Sequence, residues 1–147
     1  MRFVYLVIMV LFLTGCAQVK ELSKTFWGSS TRALENARKD ALSRDYPCSV
    51  DECFDAVLSL QKEGTSALTN RLGIFDVFIK DRNQRHIVVI GIEGNVNTTE
   101  VGIFFNQIDP KKVKVEISSL STSAKEKLAT AIFKELDLRF KPNKDTP

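Results

Sequence analysis

Residues 74–118 read IFDVFIKDRNQRHIVVIGIEGNVNTTEVGIFFNQIDPKKVKVEIS. Apolar residues recur here at every second position, the period of a pleated strand with one buried face. Residues 74–80, 87–93, 98–107 and 112–118 carry the pattern as four expected strands. The joints are short and rich in turn residues: Asp81-Arg82-Asn83-Gln84, Gly94-Asn95-Val96-Asn97 and Ile108-Asp109-Pro110. Short joints imply an antiparallel meander. Those loop lengths put Val77, Val88, Ile103 and Val115 in one row on one face, with Ile79, His86, Phe105 and Val113 in another. They put Phe78, Ile87, Phe104 and Lys114 across the opposite face.

The flanks read as helices. Over residues 29–46, Ser30, Leu34, Ala37 and Ala41 share a stripe with Leu42 beside it. Gly28-Ser29-Ser30-Thr31 offers a start. Asp45-Tyr46-Pro47 offers a stop, because the residue before proline avoids the helical region. A second helix begins at Ser49, with Glu52 completing a capping box, runs to about Lys62 and closes at Gly64. Cys48 and Cys53 then occupy the two positions of a hydrophobic staple, which meet in space, so a Cys48–Cys53 disulfide is expected. A last helix is expected from Ser123, with Glu126 as capping-box partner and Leu128, Ile132, Phe133, Leu136 and Phe140 on its apolar face. The expected class is α+β: a two-layer sandwich of a four-stranded antiparallel meander with helices, in the order α-α-β-β-β-β-α. An apolar sheet face must be covered, and helices are the available cover.

Composition fits one packed domain. The chain has 147 residues, 44% hydrophobic and 27% charged, with a formal net charge of +3. The charges are interspersed, so no basic stripe for nucleic acid is present.

Upstream, Arg2 precedes the apolar run FVYLVIMVLFL at residues 3–13 and then Leu13-Thr14-Gly15-Cys16. About 7–15 apolar residues is the size of a signal-peptide core, whereas a membrane span needs about 20. The tetrapeptide resembles the lipobox of bacterial lipoproteins. The resemblance implies cleavage before Cys16, a diacylglycerol thioether on its sulfur and usually a third acyl chain on its freed amine. Two or three chains hold a protein stably where one holds it marginally, at about 0.8 kcal/mol per buried CH₂. Ala17 rather than Asp follows Cys16, which resembles lipoproteins sorted to the outer membrane where the host has two. The expected organisation is a signal peptide over 1–15, lipidated Cys16 and tether over 16–25, one α+β domain over 26–141 and a polar tail over 142–147. The tether reaches on the order of 30 Å, which keeps the domain near the bilayer. Phe26 and Trp27 could sit at the lipid interface or pack on the core.

Chemistry-bearing motifs are sparse. His86 is the only histidine and lacks neighbouring ligands for a metal or a triad. Asp51 and Glu52 suit a helix N-terminus. Cys48-x₄-Cys53 lacks the redox spacing, and no phosphate-binding fingerprint occurs. The expectation is therefore no enzyme, no cofactor and no metal. The row Phe78, Ile87 and Phe104 is the candidate contact patch, to be covered either by a helix of the same chain or by a partner. The layout resembles small α+β lipoproteins of bacterial envelopes, a likeness that carries no functional motif. The expected function is a membrane-anchored envelope scaffold or interaction module, held by acyl chains on Cys16 and binding an envelope protein. The alternative is a carrier of a lipid or other apolar ligand between helices and sheet.

Overall fold

The computed structural model describes residues 31–62 and 73–140. The signal peptide, Cys16, the tether, Phe26, Trp27, the first helix start, Gly64 and the polar tail lie outside them. The chain divides into two compact units, Met1–Ala33 and Leu34–Pro147, and the fold below is that of the second.

The class is α+β, built on an open antiparallel sheet of five strands rather than four. Residues 34–36 are helical and run into a 3-10 turn at Ala37–Asp40. Then come β1 (Leu42–Tyr46), α1 (Val50–Leu58), β2 (Asp76–Asp81), β3 (His86–Ile90), β4 (Val101–Asp109), β5 (Lys112–Ser118) and α2 (Thr122–Phe140). The spatial order is β1-β5-β4-β3-β2, so the meander is real and β1 extends it at the far end.

The added strand corrects the second half of the helix expected over 29–46, whose residues 34–36 are helical as expected. As a strand, β1 turns Tyr46 into the core, fully buried, while Ser43 and Asp45 point the other way. Its register on β5 sets Leu42 against Ile117 and Tyr46 against Val113. Lys112 ties the pair by an ion pair to Asp45 at 3.2 Å. The extended bias of a residue before proline here extends back through the whole strand.

α1 begins at the expected capping box. The Glu52 carboxylate accepts from the Ser49 backbone N–H at 2.8 Å, and the Ser49 hydroxyl accepts from the Glu52 N–H. The Ser49 backbone N–H and, at 2.7 Å, the Ser49 hydroxyl both donate to the Glu52 carboxylate and hold that carboxyl below its ordinary pKa. The sulfurs of Cys48 and Cys53 are bonded, and both residues are buried. α2 starts two residues earlier than expected. Its cap is Ser121, whose hydroxyl accepts from the Ala124 N–H at 3.3 Å, so no Ser123–Glu126 box forms.

Both helices pack on one sheet face. The central row Ile87–Ile103–Ile117 is fully buried there with Val89, Val101, Phe105, Val113 and Val115. Phe54 of α1 meets Phe105 at 5.1 Å between ring centroids, and Tyr46 meets Phe133 of α2 at 6.3 Å. Fully burying an aromatic or aliphatic side chain of this size is worth about 1.5–3 kcal/mol, which makes this face the main source of stability. Arg82, in the β2–β3 turn, lies over the Phe54 ring at 4.6 Å and pairs with Asp51 and Asp55. It fastens the hairpin to α1.

Candidate functional site

The candidate row Phe78, Ile87 and Phe104 is not brought together. Ile87 pairs with Ile103 on the helix-covered face. Phe104 pairs with His86 on the other. Phe78 occupies an irregularity in β2, between Val77 and Ile79, and is 40% exposed. The expected rows are likewise displaced: His86 stands opposite Phe104 rather than Phe105, and Val77 opposite Val89 rather than Val88. A one-residue slip carries every side chain to the opposite face.

The outer face is closed by the chain itself. Leu34, Val88 and Phe104 form a small buried cluster, with Ile79 against it. Gly102 makes room for the Phe104 ring, since a Cβ there would lie 2.7 Å from it. The buried Ser118 hydroxyl donates to the Leu34 carbonyl at 2.7 Å. Arg38 continues the strap: its guanidinium lies 4.5 Å over the Phe104 ring, pairs with Glu116 at 2.5 Å and donates to Asn106 at 2.9 Å. His86 is buried and stacks on Phe104 at 5.9 Å. These are packing roles. Among the described residues no group of three or more His, Cys, Asp or Glu could hold a metal ion.

Two concave sites are formed among the described residues. The first is a groove of about 760 Å³ between the outer edge of β1 and α2. Leu42 and Arg44 form one wall, and Ala129, Phe133, Asp137 and Leu138 the other. Among the described residues, strand β1 is paired within the sheet on its β5 side alone. Arg44 lies 4.8 Å over Phe133 and pairs with Asp137 at 2.9 Å, bracing strand against helix. Beneath them the Tyr46 phenol is shifted upward by burial first and by the neighbouring Asp137 carboxylate second. Leu42 and Leu138 are exposed at the rim, at 37% and 72%.

The second is a cavity of about 510 Å³, lined by Ile74, Ile92, Leu128 and Ala131 with Lys62, Lys127, Glu93 and Gly73 at its rim. The Lys62 ammonium donates to the Gly91 carbonyl at 2.7 Å, and the Lys127 ammonium to the Glu93 carbonyl at 2.6 Å. Gly91 sits at φ +67°, a left-handed conformation that favours glycine. A short parallel bridge between Gln61 and Phe75 brings Lys62 to this corner.

Neither site was named from the sequence. β1 was read as helix, and Lys62 and Lys127 were spaced like ordinary surface lysines. The available signal was the glycine Gly91 at the end of an apolar run, which marks a backbone turn. No protein-family model matches this chain, and no curated protein matches it by sequence.

Proposed function

We propose that this chain is a membrane-tethered envelope lipoprotein whose domain is a non-catalytic interaction module. The attachment rests on the export-type apolar run ending at Leu13-Thr14-Gly15-Cys16. Ala17 favours the outer membrane in a host with two. Metabolic labelling with an acyl-chain probe should mark the wild type and not Cys16→Ala; equal labelling of the two would refute the anchor.

The observation that carries the interaction reading is the open outer edge of β1 beside the groove. An edge strand offers unpaired N–H and C=O groups to an added strand, and the neighbouring helix supplies apolar contacts for alternate side chains. β1 is short and carries Arg44 and Asp45, features that blunt indiscriminate pairing. The contact surface is therefore the β1–α2 groove and not the row expected from the sequence. A photoreactive residue at Leu42, exposed at the groove's rim, should cross-link one recurrent protein in cells. Leu138→Asp should reduce that product severalfold without unfolding the domain. Capture no greater than from a photoreactive residue at exposed Gln84 would sink the reading.

The carrier of an apolar ligand stands as a second reading. It is favoured by one feature, the lysine-rimmed cavity at α2.

A further inference from the structure

We infer that the cavity beside α2 binds a single-chain anionic amphiphile, a fatty-acid carboxylate, with its chain inside and its head between Lys62 and Lys127. The inference rests on the carrier reading; its site is independent of the β1 groove and stands or falls separately from it.

The walls supply the chain's half of the match. Ile92 and Leu128 are 3% and 1% exposed and belong to the main core, with Ile74 packed against it. A methylene chain lying against them would extend the core. The volume of about 510 Å³ lies inside the roughly 300–1,000 Å³ range of small-molecule sites.

The rim supplies the head's half. Lys62 and Lys127 reach the mouth from different elements, the segment after α1 and α2 itself. The carbonyls of Gly91 and Glu93, on either side of Ile92, hold their ammonium groups. An ammonium has three donors, and one carbonyl uses one of them. Two ammonium groups, each held by one backbone carbonyl, on the lining of a mostly apolar cavity suit one small anion attached to a hydrocarbon. Asp76 lies 3.5 Å from the Lys62 ammonium and takes part of its charge. Lys127 forms no ion pair among the described residues, so it is the stronger determinant. Glu93 stands on the same rim and disfavours a head of high negative charge, which selects a monocarboxylate.

The test uses the full chain in its membrane and dodecanoate bearing a terminal diazirine. Irradiation should place label on peptides containing Ile74, Ile92, Leu128 or Ala131. Unlabelled dodecanoate should compete, and dodecyltrimethylammonium, with the same chain and a cationic head, should not. Lys127→Glu changes an exposed residue and should cut this label about tenfold or more, the loss expected for a charge-assisted contact. Ala131→Leu, which fills the cavity, should abolish it while circular dichroism stays unchanged. Label elsewhere, equal competition by the cation, or undiminished label in Lys127→Glu would each overturn the inference. Absence of label would overturn it too.

Discussion

Tyr46 shows how one side chain can fix the identity of a segment. In the sequence it stands among Ser43, Arg44 and Asp45, and nothing nearby alternates with it strongly enough to reveal a strand. In the fold it is fully buried, its ring against Phe133 and its phenol near Asp137. Burial and the adjacent carboxylate favour the neutral phenol, raising its pKa above the ordinary 10.0. The linkage follows directly. Tyr46 contributes no pH dependence below pH 10.0, and stability falls as pH rises from there toward the raised value. In a Tyr5→Phe background, tyrosinate absorbance should appear only together with unfolding, well above pH 10.0. Titration of Tyr46 at the ordinary value in a folded protein would contradict its placement.

Among the elements, α1 was the most legible, because its start is written in local chemistry. Ser49 and Glu52 satisfy each other's backbone groups, and Cys48 and Cys53 flank them at staple positions. Such reciprocal bonds depend on spacing alone. The disulfide closes a short loop, so in the chain-entropy account it contributes about 2 kcal/mol, the low end of the usual range. Cys48→Ala with Cys53→Ala should lower unfolding stability by about that amount in urea titrations while leaving far-ultraviolet dichroism unchanged. Two freely alkylated thiols in exported wild-type protein would contradict the bond. Strands β2 to β5 were legible for a related reason: two-residue periodicity survives without knowledge of partners. Their register was not. The β2–β3 and β4–β5 pairings carry irregularities at Val77/Ile79 and Gln107/Asp109, and β3 and β4 are joined by the ten residues between Ile90 and Val101 rather than by a four-residue turn; the sequence advertises none of these. A slip of one residue was enough to carry Ile87 from the opposite sheet face into the middle of the core. The candidate patch failed for that reason.

At the scale of the whole molecule, stability is unequally divided between the two sheet faces. The helix-covered face holds most of the buried apolar groups, whereas the outer face relies on Leu34, Val88, Phe104 and the Arg38 strap. Leu34→Ala should cost about 2–3 kcal/mol, near the lower part of the range for buried leucine, because the site lies at a margin that can relax. It should also expose Phe104 and Val88 to an apolar dye. Unchanged dye binding and an unchanged unfolding midpoint would show that the strap carries no such role. The sequence could not apportion this cover. Leu34 carries the helical stripe expected of it, but which sheet face it meets is decided by the route of the chain into β1.

That route also has a consequence for the order in which the protein can assemble. Strands β2 to β5 are neighbours in sequence and can pair through short turns, at small cost in loop closure. β1 is made before all of them, yet Leu42 must find Ile117 on the last strand. Until β5 exists, Tyr46 has no Val113 to face and no core to enter. Completion of the core at this edge is therefore a late event in the chain's synthesis, joined to the arrival of its final strand and helix.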